Sequence, residues 1–174
     1  GLDTGSITPD TTYYDDGTFE VRDRVLKNWD LKAHGTTNMT QVIEHSINTG
    51  AAFAEKKIGH KNFYDYLQKF GFGKLTQIDL PGELTGSLGN LTDFKNPVHF
   101  ATASFGQGIS VTPIQLINAV SAIANGGHLM RPLTSAKDEP EELETVVSSA
   151  AAEKVTIMME GALKKAEIGY IDKY

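Results

Sequence analysis

The segment from Thr112 to Gly127 constrains the fold most, because it contains both a start signal and a stop signal for one helix. Thr112 is a typical N-cap, Pro113 suits the first helical position, and Gln115 completes a capping box. Apolar residues then recur at helical spacing until a turn sequence follows: Leu116, Ile117, Val120, Ile123 and Asn125-Gly126-Gly127. The segment therefore predicts a helix with both ends fixed.

A second helical pattern begins at Asn38 and is interrupted near Ser46. Residues two apart on a continuous helix point ~200° away from each other, so Ser46 and Asn48 could not share one pocket on an unbroken helix. We expect the first helix to end near His45 and Asn48 to cap a second helix. Both polar side chains would then project from the junction. The apolar residues behind this prediction are Met39, Val42, Ile43, Ile47, Ala51, Phe53 and Ala54.

Two further helices are indicated by spacing alone. The stretch from Lys61 to Phe70 has apolar residues at positions i, i+3, i+4 and i+7, and Gly71 stops it. The last helix runs from Ala150 to Lys165. We expect five of its residues to face inward: Val155, Met158, Met159, Ala162 and Leu163.

The remaining segments are extended or irregular. A strand at Thr18–Arg22 follows the turn signal Asp15-Asp16-Gly17. Ile78–Leu80 is predicted to be a short strand or an extended run before Pro81-Gly82, and a polar loop continues to about residue 96. Residues 137–144 are predicted to form an acidic surface loop.

Size and composition limit the class of protein. The 174 residues suffice for one domain with a hydrophobic core, and we expect residues 1–174 to form a single domain. The net charge of −6 and the scattered lysines argue against nucleic acid as a partner. Zero cysteines exclude disulfides and a cysteine nucleophile. No apolar run approaches the ~20 residues of a membrane-spanning helix.

Other candidate sites have weaker support. The histidines lack metal-binding spacing, and we expect neither a metal site nor a cofactor. Gly106-Gln107-Gly108 is not followed by the Lys-Ser/Thr of a phosphate loop. Neighbouring side chains on a helix diverge by ~100°, so His45 is not expected to act as a base for Ser46. The five histidines are His34, His45, His60, His99 and His128.

Several motifs in a fixed order resemble one known family, the transpeptidase domain of class B penicillin-binding proteins. The resemblance extends roughly from Thr36 to Lys165. The motifs are Ser46-Ile47-Asn48-Thr49-Gly50, Gly71-Phe72-Gly73, Ile78-Asp79-Leu80-Pro81-Gly82-Glu83, Ser104-Phe105-Gly106-Gln107-Gly108 and Ala122-Ile123-Ala124-Asn125-Gly126-Gly127.

The resemblance implies acyl transfer through a serine acyl-enzyme. A serine would attack the D-alanyl-D-alanine bond of a peptidoglycan stem peptide, and a neighbouring strand's amine would accept the acyl group. Ser46 and Asn48 correspond to the family's Ser-x-Asn catalytic residues. A hydroxyl suits proton donation or shuttling, and an amide suits orienting a lysine and bonding the substrate's peptide groups.

Two motifs of that active site do not occur in these 174 residues. The family's nucleophile lies in Ser-x-x-Lys, on a helix just before the segment that resembles residues 1–9, and its Lys-Thr-Gly follows the last helix. Here Ala166-Glu167-Ile168 leads directly into Gly169-Tyr170. Gln77 also replaces a glycine that is common in the family. We therefore expect an incomplete catalytic domain that is inactive by itself.

The implied fold is α/β, of the β-lactamase and transpeptidase type, and this chain would supply mainly the helical lobe with few strands. The parent protein would act outside the cytoplasm, anchored in the cytoplasmic membrane. Its partners would be peptidoglycan stem peptides, β-lactams, and elongation or division proteins of cell-wall synthesis. Two alternatives remain open: a β-lactamase or D,D-carboxypeptidase relative, and a non-catalytic scaffold module.

Overall fold

A computed structural model describes residues 1–165 of the chain. Short strands come first, helices dominate the middle, and a long helix ends the described part. In chain order the elements are β1 (Thr12–Asp15), β2 (Thr18–Val21), β3 (Arg24–Lys27), β4 (Gly35–Asn38), α1 (Met39–Glu44), α2 (Asn48–Ile58), α3 (His60–Lys69), a 3-10 turn (Gly89–Leu91), α4 (Pro97–Ala103), α5 (Pro113–Ala124), β5 (His128–Met130), β6 (Glu142–Thr145) and α6 (Ser149–Lys165).

The strands form separate two-stranded antiparallel ribbons. β1 pairs with β4, β2 with β3, and β5 with β6. The predicted strand after Asp15-Asp16-Gly17 is confirmed as β2. Ile78–Leu80 forms no strand: the chain bends at Asp79, and the Leu80 N–H donates to the Ile78 carbonyl at 2.8 Å. The predicted loop at 137–144 is wrong at its end, because Glu142–Thr145 pairs with β5 as β6.

α5 has the predicted ends. The Gln115 backbone N–H donates to Thr112 Oγ1 at 3.3 Å, and the Thr112 N–H donates to Gln115 Oε1 at 2.9 Å. Gly126 and Gly127 donate their backbone N–H groups to the Ile123 and Ala122 carbonyls, and this closes the last turn. One face of α5 remains open, since Leu116 and Ile117 are 52% and 62% exposed.

Gln115 has a second role that spacing did not predict. Its side chain is 1% exposed, and its Nε2 lies within hydrogen-bond distance of three backbone carbonyls. These belong to Gly71 (3.3 Å), Lys74 (2.6 Å) and Thr85 (2.7 Å). The start of α5 thereby holds the irregular segment after α3 in place.

The described core consists of three apolar clusters. One joins α1 to α6, the second surrounds α4, and the third lies between α5 and the β5–β6 ribbon. Their buried members are Met39, Val42, Ile47 and Met158; Leu88, Leu91, Phe100 and Ala103; and Ala122, Leu129 and Val146.

α6 is confirmed as a helix, but one of its predicted inward residues is wrong. Met158 is buried, whereas Leu163 is 52% exposed. Gly161 lies against Glu44, and Lys165 forms an ion pair with the same glutamate. Those contacts turn the 161/165 side of the helix toward α1, and Leu163 therefore points to the opposite side.

Candidate functional site

The break between α1 and α2 lies at the predicted place. After α1 the Ser46 N–H donates to the Ile43 carbonyl at 3.3 Å, and the Ile47 N–H donates to the Val42 carbonyl at 3.0 Å. This pair of bonds is the Schellman arrangement of a helix C-terminus. It places Ser46 at the position that normally requires a left-handed backbone, and its φ is +54°.

Burial alternates through this turn. Ser46 is exposed, Ile47 is 2% exposed and belongs to the α1–α6 cluster, and Asn48 is partly exposed. The inward Ile47 leaves the two polar side chains on the outer side of the junction. The turn therefore presents a hydroxyl and an amide from adjacent helix ends.

Asn48 does not cap α2, which corrects the expectation. It is the first residue of the helix, and the N-cap residue is Ile47, whose side chain accepts no hydrogen bond. The Asn48 Nδ2 instead donates to the Lys27 carbonyl at the end of β3, at 3.0 Å. One amide hydrogen is thus used to hold the side chain against the β2–β3 ribbon, and the amide oxygen has no partner among residues 1–165.

The neighbours of the turn include an exposed indole. The Trp29 side chain is 70% exposed, and its Nε1 donates to the His45 carbonyl at 3.2 Å. The His45 ring stacks on the His34 ring, with centroids 6.1 Å apart. Within residues 1–165 no hydrogen bond joins the His45 ring to Ser46, so the structure gives no Ser-His pair.

A buried polar network lies beneath the first turn of α2. Asp15 is 0% exposed, and four donors reach its carboxylate. Oδ1 accepts from the Gly17 N–H (2.9 Å) and the Thr49 hydroxyl (2.8 Å), while Oδ2 accepts from Asn28 Nδ2 (2.8 Å) and the His34 N–H (3.0 Å). Sequence reasoning identified Asp15 only as part of a turn signal. Three of its four partners, Asn28, His34 and Thr49, are 13 to 34 residues away, so no local pattern could have indicated them.

Two titratable groups near α2 have shifted pKa values. Burial raises the pKa of Tyr13 to about 12, and its hydroxyl lies 3.0 Å from Thr49 Oγ1. Burial also raises the pKa of Glu55, which is 2% exposed, although His60 Nδ1 lies 2.6 Å from its carboxylate. The Tyr13 hydroxyl therefore stays neutral beside the Asp15 network.

An apolar cleft of about 400 Å³ opens between the N-terminal segment, α1, α2, α3 and α6. Met39, Ile58, Val155 and Met158 line it, and Glu55 contributes a carboxylate to its wall. Among residues 1–165 no group of three or more His, Asp or Glu residues could hold a metal ion. No helix in that range has the length and apolarity needed to cross a bilayer.

The fold matches solved structures of penicillin-binding protein transpeptidase domains. One of them is penicillin-binding protein 3 of Mycobacterium tuberculosis in complex with aztreonam, at a TM-score of 0.81 and 26% identity. That match covers 97% of this chain and 40% of the other. The class defined by this fold is that of the penicillin-recognising enzymes with a β-lactamase-like fold.

The sequence comparisons give the family. Residues 1–170 match the family described as "Penicillin binding protein transpeptidase domain", and the chain belongs to that family. Stage V sporulation protein D of Bacillus subtilis is 39% identical over 155 residues, which are 88% of this chain. The peptidoglycan D,D-transpeptidase FtsI homolog of Mesostigma viride is 29% identical over 143 residues, 75% of this chain. The chain spans 24% of the length of each relative. The resemblance to class B penicillin-binding proteins and the mainly helical α/β architecture are confirmed.

Proposed function

We propose that the protein to which this chain belongs is a penicillin-binding peptidoglycan D,D-transpeptidase. The observation that carries the proposal is the Ser46–Asn48 turn, in which a left-handed residue between two helices leaves a hydroxyl and an amide at least partly exposed. Two findings support the proposal: the chain belongs to the penicillin-binding transpeptidase family, and the relative from Mesostigma viride is named a peptidoglycan D,D-transpeptidase homolog. The substrate would be a stem peptide ending in D-alanyl-D-alanine.

Ser46 would move a proton during acyl transfer. In the first step a serine oxygen attacks the carbonyl carbon of the penultimate D-alanine, and the bond to the terminal D-alanine nitrogen breaks. The leaving nitrogen needs a proton at that moment. An exposed hydroxyl both accepts and donates a proton, so Ser46 suits this transfer. In the second step an amine of a neighbouring strand attacks the ester and releases the serine.

Asn48 would hold the substrate and orient the lysine of Ser-x-x-Lys. One Nδ2 hydrogen is taken by the Lys27 carbonyl, which leaves one N–H and the amide oxygen for other groups. The oxygen can accept from a lysine ammonium, and the N–H can donate to a peptide carbonyl. Because the Lys27 carbonyl holds the Asn48 side chain, it fixes the directions of the free amide N–H and of the amide oxygen.

The nucleophile and the Lys-Thr-Gly strand would come from parts of the protein outside these 174 residues. We propose that a helix carrying Ser-x-x-Lys fills the apolar cleft. Leu2 and Ile7, at the end of the chain nearest to the expected position of that helix, line the cleft. Residues 1–174 would then form part of one domain. The predicted junction at residues 166–174 lies outside the described residues.

The proposed setting is the outer side of the cytoplasmic membrane, with the protein anchored in that membrane. Its partners would be peptidoglycan strands, β-lactams and other proteins of cell division or elongation. The names of the two relatives are compatible with a role in cell-wall synthesis.

Labelled penicillin tests the proposal by intact mass. The full-length protein should gain one covalent adduct, whereas the 174-residue protein should gain none, because its sequence lacks Ser-x-x-Lys. Ser46→Ala in the full-length protein should slow acylation about 100-fold or more, since proton transfer by a placed group contributes 10²–10⁴-fold. Thr92→Ala, at a surface hydroxyl of the 89–92 turn, is the matched control and should leave the rate unchanged.

Other outcomes separate the alternatives. A full-length protein that contains no acylatable serine and forms no adduct would indicate the scaffold module. An adduct that hydrolyses within seconds would indicate a β-lactamase, and release of D-alanine without cross-linked product would indicate a carboxypeptidase.

A further inference from the structure

The first turn of α2 has no cap of its own. Its N-cap residue is Ile47, which has no side-chain acceptor, and the helix carries Asn48 and Thr49 at its first two positions. The Asn28 Oδ1, from the loop after β3, accepts the Thr49 backbone N–H at 3.1 Å. An acceptor at this position normally comes from the residue just before the helix. Here a residue 21 positions earlier supplies it.

Three consecutive residues, the last of β3 and the first two of the loop after it, bind the Ser-x-Asn turn. The Lys27 carbonyl accepts from Asn48, the Asn28 side chain accepts from Thr49, and the Trp29 indole donates to the His45 carbonyl. The 27–29 segment therefore contacts the turn on both sides of Ser46. Any shift of this segment moves the carbonyl that orients the Asn48 amide.

Asp15 fixes the 27–29 segment and α2 to each other. Its two oxygens accept from Asn28 Nδ2 and from the Thr49 hydroxyl, and Asn28 Nδ2 also donates to the Lys32 carbonyl at 2.9 Å. Asp15 and Asn28 are 0% and 1% exposed, and in the described residues every buried side-chain polar atom has a partner. A fully bonded buried network of this kind specifies one geometry, because any displacement leaves a donor unpaired.

We propose that Asp15 and Asn28 are positioning residues that set the direction of the Asn48 amide in the acyl-transfer site. The inference rests on the proposed function, since it assigns them a part in that reaction. Neither residue touches the substrate. They act through the Lys27 carbonyl and the first turn of α2.

The test uses the full-length protein and the rate of acylation by a fluorescent penicillin. Asn28→Ala removes the acceptor for Thr49 and should lower the second-order acylation rate about 10-fold or more, since small displacements of a catalytic group cost up to 10²-fold. Asn118→Ala is the matched control. It deletes an asparagine of α5 that donates to the Met130 carbonyl at 2.9 Å, and it should leave the acylation rate unchanged.

A double-mutant cycle separates positioning from general destabilisation. If Asn28 acts through the Asn48 amide, Asn28→Ala should lower the rate in the wild type and cause no further loss in an Asn48→Ala background. Additive losses would overturn the inference. The acylation rates in the cycle are calculated for folded protein only. The active fraction of each variant is determined from the final extent of labelling.

Substitutions at Thr49 test Asp15 without replacing the buried carboxylate. Thr49→Val removes the hydroxyl that donates to Asp15 and lies 3.0 Å from the Tyr13 hydroxyl, and it should slow acylation. Thr49→Ser keeps the hydroxyl and should retain most of the rate. Equal rates for the two variants would also overturn the inference. A wild-type protein that forms no adduct would instead refute the proposed function, so the two failures are distinguishable.

Discussion

The turn that ends α1 and the turn that ends α3 share one backbone pattern but differ in the residue at its left-handed position. After α3 the Gly71 N–H donates to the Gln68 carbonyl and the Phe72 N–H to the Leu67 carbonyl, as in the turn after α1. The left-handed residue is Gly71 in one turn, at φ +85°, and Ser46 in the other, at φ +54°.

This difference shows which interactions determine the backbone conformation of each turn. A residue with a Cβ costs roughly 1–2 kcal/mol in the left-handed region, and glycine avoids that cost. The α3 turn thus follows from its own sequence. The α1 turn is held against its local preference by the burial of Ile47 and by the Asp15 network, and such strain is common where a side chain must be presented for function.

The largest effect on the free energy of unfolding should come from replacing the residue that follows the left-handed position of the α1 turn. Ile47→Ala should lower the free energy of unfolding by about 3 kcal/mol, because Ile47 is 2% exposed in the α1–α6 cluster. Phe72, the equivalent residue after α3, is only partly buried, and Phe72→Ala should cost less per buried atom removed. Urea unfolding of the variants measures both. A smaller loss per buried atom removed for Ile47→Ala than for Phe72→Ala would contradict the view that burial holds the α1 turn.

Alanine at Gly71 should be next in size. Gly71→Ala should lower the free energy of unfolding by roughly 1–2 kcal/mol, because φ is +85° and a residue with a Cβ is strained in that conformation. The control is Gly89→Ala in the 3-10 turn, at an exposed glycine without a positive φ. If both variants unfold at the same urea concentration, backbone strain does not distinguish the two positions.

The reverse substitution at the α1 turn should stabilise the protein slightly. Ser46→Gly should raise the free energy of unfolding by about 0.5 kcal/mol, the difference between the relieved strain and the greater entropy of an unfolded glycine. Ser46→Ala keeps the Cβ and should change it little. Gln77, also at a positive φ of 62°, offers the matched control Gln77→Gly, which should stabilise without affecting acylation by the full-length protein. A stabilised Ser46→Ala would trace the cost to the hydroxyl instead.

The smallest expected effect is a pH dependence of stability. It comes from Glu55 in α2, the helix that follows the α1 turn and precedes the α3 turn in the sequence. Burial raises the pKa of Glu55 above its usual 4.5, so the folded state binds a proton more readily than the unfolded state. This contribution to stability is fully present below pH 4.5 and is lost as the pH rises through the raised pKa. Glu55→Gln should flatten that part of the stability profile, measured by urea unfolding from pH 4 to 7. An unchanged slope would assign the dependence to other groups.

The features predicted from sequence are those whose partners lie within about four residues. The capping box joins Thr112 to Gln115 by hydrogen bonds, and the turn at Gly71 donates hydrogen bonds to the helix that it ends. Local chemistry therefore determines both features. The break at Ser46 was predicted on a different ground, because Ser46 and Asn48 could not share one pocket on a continuous helix. The Asn48 side chain was assigned incorrectly because its acceptor, the Lys27 carbonyl, is 21 residues away and comes near only in the folded chain. Asp15 was not recognised for the same reason.

The buried amide of Gln115 has a consequence for the order in which the chain assembles. Its three carbonyl partners lie between residues 71 and 85, a stretch to which the structure assigns no helix or paired strand. That stretch can reach its native path only once the first turn of α5 is in place to receive it. Its amide hydrogens should therefore exchange with solvent whenever α5 opens, so that these two separate parts of the chain behave as one cooperative unit.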